Sequence, residues 1–131
     1  MVDSSIIAIV RRYLDTVTRA GIPVEKAVIY GSFSRGEQRK DSDIDVLVIS
    51  PLFDRLKESK ALDLLWRLTR HVDLRIEPVA VGVREFEEDD GSPLIGLARR
   101  DGFVVSLPAA AMVHEPAAQY GGKKKDARTR L

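Results

Sequence analysis

The chain has 131 residues, of which 44% are hydrophobic and 31% charged, and it contains no cysteine. This length and composition are those of one globular domain, and the missing thiols exclude disulfides and thiolate metal sites. No apolar run approaches the roughly 20 residues that a membrane span needs. The N-terminus also has no basic stretch before an apolar core, so we expect a cytoplasmic protein without a membrane segment or a secretory signal.

Hydrophobic periodicity and breaker residues predict helices and strands that alternate along the chain, which is the pattern of the α/β class. The predicted helices run from an Asp3 or Ser4 cap to Gly21, over residues 54–70, and from Ser92-Pro93 to Gly102. The predicted strands cover residues 26–30, 43–49, 72–81 and 103–105. Shorter segments are predicted as a helical turn at 33–36, a loop at 37–42, and a short helix or loop at 84–90. Pro78 places the distal half of the third strand at a sheet edge or outside the ladder.

A glycine-serine pair, Gly31 and Ser32, directly follows the first predicted strand. A turn between a strand and a helical turn points backbone N–H groups outward, and these groups attract phosphate. Glycine lets the backbone approach closely, and serine adds a hydroxyl donor. A simple strand-ending turn has the same two residues, so the pair indicates phosphate binding only together with residues downstream. Arg35 either contacts a phosphate or braces the loop by pairing with an aspartate, and we favour the bracing role.

Two aspartates, Asp43 and Asp45, open the second predicted strand, and ten residues separate Asp43 from Ser32. Side chains at positions i and i+2 share one face of a strand, roughly 6 to 7 Å apart, so these carboxylates repel each other and favour a bound cation. Oxygen ligands suit Mg²⁺, which substrate phosphates and water then complete. An aspartate pair can also mark a loop-to-strand junction. Asp is disfavoured inside strands, however, and Asp45 precedes four apolar residues.

Asp73 stands at the start of the third predicted strand. If the second and third strands are neighbours, about 4.8 Å apart, Asp73 joins the aspartate pair. Three acids around two ions about 3.5 to 4 Å apart match two-metal phosphoryl transfer, with Asp73 as general base or as the ligand nearest the nucleophile. A solvated aspartate at a strand start is the equally weighted alternative. Arg75 and Glu77 share the face of Asp73 by alternation, and they either line the cleft or pair with each other.

A Gly-Ser pair, ten residues, Asp-x-Asp and a later strand aspartate together resemble the minimal nucleotidyltransferase (MNT) family of the DNA polymerase beta-like superfamily, over roughly residues 5 to 106. The resemblance implies a nucleotidyltransferase fold of the α/β (α+β) class, with a small mixed sheet of three to four strands and helices mainly on one face. It implies Mg²⁺ as cofactor and ATP as substrate. The implied site residues are Asp43, Asp45 and Asp73 as catalytic metal ligands, and Gly31 and Ser32 as nucleotide-binding residues. Arg35 is a further nucleotide-binding candidate from its position three residues after Ser32.

Family members of this size are often the antitoxin half of a two-protein toxin–antitoxin system. The partner in such systems is a small helical HEPN ribonuclease, and the antitoxin transfers AMP to one of its tyrosines. The resemblance therefore implies a HEPN-type toxin as partner and protein adenylyltransferase activity, by analogy at the level of the family. Two alternatives stay open: transfer to a small molecule such as an aminoglycoside, and neutralisation of a partner by binding alone.

The predicted domain organisation is a nucleotidyltransferase domain at 1–106 and an extension at 107–131. Residues 121–131 hold five Lys or Arg and one Asp, which leaves the rest of the chain slightly acidic. Because that body is not a basic nucleic-acid reader, we expect no specific nucleic-acid target. A tail of this composition is typical of a solvated, disordered end, and an RNA contact is the alternative.

Overall fold

A computed structural model describes residues 2–31, 42–55, 57–88 and 91–107 of the chain. The strands are β1 (Lys26–Tyr30), β2 (Ile44–Ile49), β3 (Ile76–Val81) and β4 (Phe103–Val105). The helices are α1 (Ser4–Arg19), α2 (Leu52–Arg55), α3 (Ser59–Leu68), α4 (Val83–Glu88) and α5 (Pro93–Asp101). A 3₁₀ turn, Thr69–His71, follows α3. No helix in these ranges is both long enough and apolar enough to span a bilayer.

The four strands form one mixed sheet in the order β3-β2-β1-β4. Strand β1 pairs antiparallel with β2 and with β4, whereas β2 and β3 are parallel. The predicted fold class, a small mixed sheet with helices, is confirmed. Because of these directions, the C-terminal end of β1 and the N-terminal ends of β2 and β3 meet at the same end of the sheet.

Each face of the sheet packs against its own helices, because side chains alternate along every strand. The first core contains the buried faces of α1 and α3, and its strand residues are Ala27, Ile29, Ile44, Val46, Val48, Ile76, Ala80 and Val105. The second core contains residues of α4 and α5, and its strand residues are Val28, Tyr30, Leu47, Ile49 and Val81. The two longest of the described helices, α1 and α3, thus cover one face, and shorter helices cover part of the other.

Local capping explains where α1 and α5 begin. The Asp3 carboxylate accepts the backbone N–H of Ser5 at 2.8 Å, so it caps α1 as the sequence predicts. The Ser92 hydroxyl accepts the backbone N–H of Ile95 at 3.3 Å and caps α5, which has Pro93 in its first turn. Both helices therefore start where the sequence places them.

The third strand is shorter than predicted, because it begins at Ile76 instead of residue 72. The Asp73 carboxylate accepts the backbone N–H of Arg75 at 2.9 Å, and the backbone N–H of Ile76 donates to the carbonyl of Asp73 at 3.2 Å. These bonds form a turn in which the side chain competes with the ladder for backbone donors. Strand β3 lies at an edge of the sheet, where Pro78 is tolerated as predicted.

The predicted helix at 54–70 is divided into α2 and α3, with the 3₁₀ turn at its end. The turn and loop predicted at 33–36 and 37–42 lie outside the described residues, apart from Ser42. Most of the predicted extension at 107–131 lies outside them too. Leu107 is described, and it is buried in the first core.

Candidate active site

One end of the sheet brings a tyrosine and two acids side by side across three strands. Tyr30 of β1 pairs with Asp45 of β2, and Asp45 in turn pairs with Glu77 of β3. Cross-strand partners point to the same face of a sheet. These three side chains therefore share the face that carries the second core, at the end where β1 stops and β2 and β3 start.

Gly31 directly follows β1 and approaches Asp45 closely. Its φ is +77°, in the left-handed region that favours glycine. A Cβ built at this position would collide with the carboxylate of Asp45. Glycine is required here for two independent reasons, backbone conformation and space, and its backbone borders an acid that the sequence assigns to metal binding.

Asp43 adds a third acid to this end of the sheet, and we name Asp43, Asp45 and Glu77 the carboxylate cluster. A hydrogen bond with the Asp43 carboxyl raises the pKa of Glu77 above its ordinary value, and burial acts in the same direction. The negative charges of Asp43 and Asp45 raise the pKa of Glu77 further. Acids whose charges raise the pKa of a neighbouring acid lie close to it and repel it when both are ionised.

The Tyr30 phenol borders the carboxylate cluster. Burial raises its pKa to about 12, and the charges of Asp45 and Glu77 contribute to the shift. The side chain is only 9% exposed, with its ring in the second core. The phenol is therefore protonated at neutral pH. Its ring packs in the second core, and its hydroxyl lies near the acids.

Asp73 has a different environment. The Arg75 guanidinium donates to both oxygens of its carboxylate, at 3.1 and 2.9 Å. These bonds lower the pKa of Asp73 and outweigh the effect of burial, and the charge of Arg12 adds to the lowering. Arg12, on α1, also donates to the carbonyl of Val72 at 3.2 Å. Asp73 thus belongs to an ion pair beside α1, and neither Asp43 nor Asp45 contributes to its pKa shift.

The carboxylate cluster supplies the donor type that a hard divalent cation prefers. Three acids offer only oxygen ligands, and their mutual repulsion, expressed in the pKa of Glu77, is relieved when a cation binds. Within the described part of the chain, however, no three His, Cys, Asp or Glu side chains already stand in a metal-binding arrangement. The chemistry of the cluster fits Mg²⁺, and its side chains would adjust to complete the coordination.

The site residues that the sequence predicts are distributed unevenly. Gly31, Asp43 and Asp45 come together at one sheet end. Ser32 and Arg35 lie outside the described residues. Asp73 was expected to open a strand beside the aspartates, and that strand start is wrong because the chain is still in a turn there.

Glu77 occupies the strand position beside the aspartates that the sequence predicts for Asp73. The signal for it was present in the sequence, since Glu77 interrupts the apolar residues of β3 and shares a face with Asp73 by alternation. What the sequence lacked was the register, which pairs Asp45 with Glu77. A parallel pairing cannot be read from the residues of one strand alone.

Comparisons with known proteins agree with this fold. A candidate nucleotidyltransferase from Sulfolobus solfataricus superposes with a TM-score of 0.50 at 18% identity, over 75% of this chain and 77% of that one. A toxin–antitoxin structure with AMP-PNP superposes with a TM-score of 0.52 at 18% identity, over 79% of this chain and 81% of that one. At this identity the likeness shows a shared fold. No curated protein sequence matches the chain at a significant level.

The sequence itself carries the family assignment. The profile of the nucleotidyltransferase domain matches residues 10–100, which run from α1 through α5 and include the carboxylate cluster. The match covers well over half of the chain. The protein therefore belongs to the nucleotidyltransferase domain family.

Proposed function

We propose that the protein is a Mg²⁺-dependent nucleotidyltransferase that transfers AMP from ATP to a hydroxyl group of a partner protein. The observation that carries the proposal is the carboxylate cluster beside Gly31, at a position that suits only glycine, in a chain of the nucleotidyltransferase domain family. Clustered acids repel one another and so do not stabilise the fold. They are suitable ligands for a cation that is bound together with phosphate.

Asp43, Asp45 and Glu77 are the residues that would hold the metal, with Glu77 in the role that the sequence assigned to Asp73. Bound Mg²⁺ supplies neutralisation of phosphate charge and a lower pKa for the attacking hydroxyl. Because Gly31 has no side chain, the Asp45 carboxylate can lie against its backbone at the end of β1. Ser32 would add a phosphate contact, and Arg35 would either contact a phosphate as well or brace the loop that carries Ser32.

The partner we propose is a HEPN-type toxin, with a tyrosine as acceptor. Two findings support a toxin–antitoxin role: the resemblance of the Gly-Ser and Asp-x-Asp pattern to the MNT family, and the shared fold with a toxin–antitoxin structure that contains AMP-PNP.

The test is transfer of label from α-³²P-ATP to the purified product of the neighbouring gene, with Mg²⁺ and with EDTA. The wild-type protein is expected to label the partner only with Mg²⁺. The variant Asp43→Asn, Asp45→Asn is expected to lose more than about 100-fold in rate, because direct ligands matter more than outer-shell groups. Undiminished transfer by this variant would refute the assigned roles.

A matched control removes the same charge elsewhere. The variant Glu58→Gln, Asp63→Asn changes two exposed acids at and near the start of α3, on the other face of the sheet, and should transfer at the wild-type rate. Toxin inhibition is measured in parallel. If the Asp43→Asn, Asp45→Asn variant neutralises the toxin as well as wild type does, binding alone accounts for the antitoxin effect and the transfer is not its cause.

A further inference from the structure

We propose that Tyr30 is a positioning residue of the nucleotidyltransferase site: its phenol hydroxyl orients the Asp45 carboxylate for cation binding. The inference rests on the proposed function, and it adds a residue outside the Gly-Ser and Asp-x-Asp pattern. It concerns a hydroxyl whose loss changes no charge and removes no ring packing.

The first observation is the place of Tyr30 in the sheet. It is the last residue of β1, directly opposite Asp45, and Asp45 is directly opposite Glu77. Directly opposite residues of antiparallel strands, such as Tyr30 and Asp45, have Cβ atoms about 4.5 to 5.5 Å apart. The tyrosine therefore flanks Asp45 on one side as Glu77 flanks it on the other, on the same face.

The second observation is the boundary on which the ring lies. The described strand residues that share the second core with Tyr30 are aliphatic: Val28, Leu47, Ile49 and Val81. Tyr30 packs with them, and the charges of Asp45 and Glu77 act on its hydroxyl. An apolar side chain would fill such a core position equally well. The hydroxyl is not required for packing in the core, but it can donate a hydrogen bond to a carboxylate.

The chemistry of an outer-shell group explains that use. A carboxylate that ligates a cation through one oxygen keeps lone pairs on the other, and a fixed donor there sets its orientation. A phenol suits this position because it is neutral at physiological pH and adds no cation that would compete with the metal. The rigid ring, held in the second core, fixes where the hydroxyl can be.

The experiment compares Tyr30→Phe with Tyr13→Phe in the full-length chain. Tyr13 is the matched control, because its hydroxyl donates to the carbonyl of Leu65 at 2.6 Å inside the first core, on the opposite face. Binding of Mn²⁺ is followed by the loss of the free-ion EPR signal, first with the metal alone and then with AMP-PNP. Transfer to the partner is measured against Mg²⁺ concentration.

The expected result is a Mn²⁺ dissociation constant raised about tenfold in Tyr30→Phe, in line with the roughly 10- to 100-fold cost of losing an outer-shell partner. The Mg²⁺ midpoint for transfer should rise by the same factor, with the rate at saturating Mg²⁺ close to wild type. Tyr13→Phe should keep the wild-type dissociation constant, although its melting temperature falls.

Two outcomes would overturn the proposal, and both differ from failure of the proposed function. A wild-type dissociation constant in Tyr30→Phe would show that the hydroxyl belongs only to the core. An equal rise in Tyr13→Phe would show that the effect comes from general loosening of the fold. Failure of the proposed function would instead appear in the wild-type protein, as absence of transfer.

Discussion

Two acidic regions lie at the same end of the sheet and behave in opposite ways. In the carboxylate cluster, neighbouring acids raise the pKa of Glu77. At Asp73, a guanidinium lowers the pKa of the acid. The contrast teaches how to distinguish an acid that serves the fold from one that is available to a ligand. An acid with its own arginine is already satisfied, whereas acids that repel one another are stabilised by an added cation.

The largest expected difference between the two regions is in transfer activity. Glu77→Gln should lower the rate by more than about 100-fold, because it removes a direct metal ligand. Asp73→Asn should change the rate by less than about tenfold, because Asn still accepts the backbone N–H of Arg75. The measurement is the initial rate of label transfer to the partner at saturating ATP and Mg²⁺.

The reverse outcome has a clear meaning. If Asp73→Asn abolishes transfer and Glu77→Gln does not, Asp73 is the third catalytic acid, as the sequence pattern implied. The ion pair with Arg75 would then have to open when substrate binds. Circular dichroism of both variants excludes unfolding as the cause.

The next largest effect is expected at Gly31. Gly31→Ala should destabilise the protein by more than about 1 kcal/mol, because alanine is strained at positive φ, and should lower transfer at least about tenfold by displacing the Asp45 carboxylate. Gly21→Ala is the matched control, since Gly21 also has a positive φ, +110°, but follows α1 far along the chain from the cluster. Its stability should fall while its rate stays near wild type. Equal losses of rate in both variants would contradict a local role for Gly31.

The sequence predicted the elements of this fold better than their pairing. Local signals fixed the capped starts of α1 and α5, at Asp3 and Ser92, because capping needs only residues a few positions apart. The start of β3 was missed, because the sequence around Asp73 alternates like a strand. What ends that pattern is a side-chain hydrogen bond to Arg75, a local alternative that periodicity does not reveal.

The candidate site was predictable up to the point where it needs tertiary structure. Asp43 and Asp45 follow from spacing along one strand. The choice between Asp73 and Glu77 depends on the parallel register of β2 and β3, two strands that α2 and α3 separate along the chain. The second reason that position 31 must be glycine, its contact with Asp45, likewise exists only after β1 and β2 have paired.

A smaller effect is expected in stability, where Asp73 should contribute to the free energy of unfolding. Asp73→Ala removes the acceptor of three hydrogen bonds from Arg75, and we expect a loss of about 1 to 2 kcal/mol in the free energy of unfolding. Asp15→Ala is the control, because the Asp15–Arg19 pair is an exposed ion pair at 3.0 Å that should contribute less than about 0.5 kcal/mol. Urea unfolding measures both. If the two losses are equal, the hydrogen bonds between Asp73 and Arg75 contribute no more to stability than an exposed ion pair does.

The smallest effect is a pair of opposite pH dependences, measured with EDTA present. The raised pKa of Glu77 means that its ionised form destabilises the fold, so Glu77→Gln should be more stable than wild type at pH 7, by less than about 1 kcal/mol. That gain should disappear as the pH falls below the ordinary value of 4.5. The lowered pKa of Asp73 has the opposite sign, because its ionised form stabilises the fold.

Asp73→Asn should therefore be less stable than wild type at pH 7, and its deficit should shrink as the pH falls below 3.8 and through the folded-state pKa of Asp73. Urea titrations of the three proteins between about pH 3 and 7 measure both differences. The comparison depends on their opposite signs. If both variants lose stability at pH 7, Glu77 has a stabilising partner like Asp73, and the acids at this end of the sheet do not form a repulsive cluster that a cation would relieve.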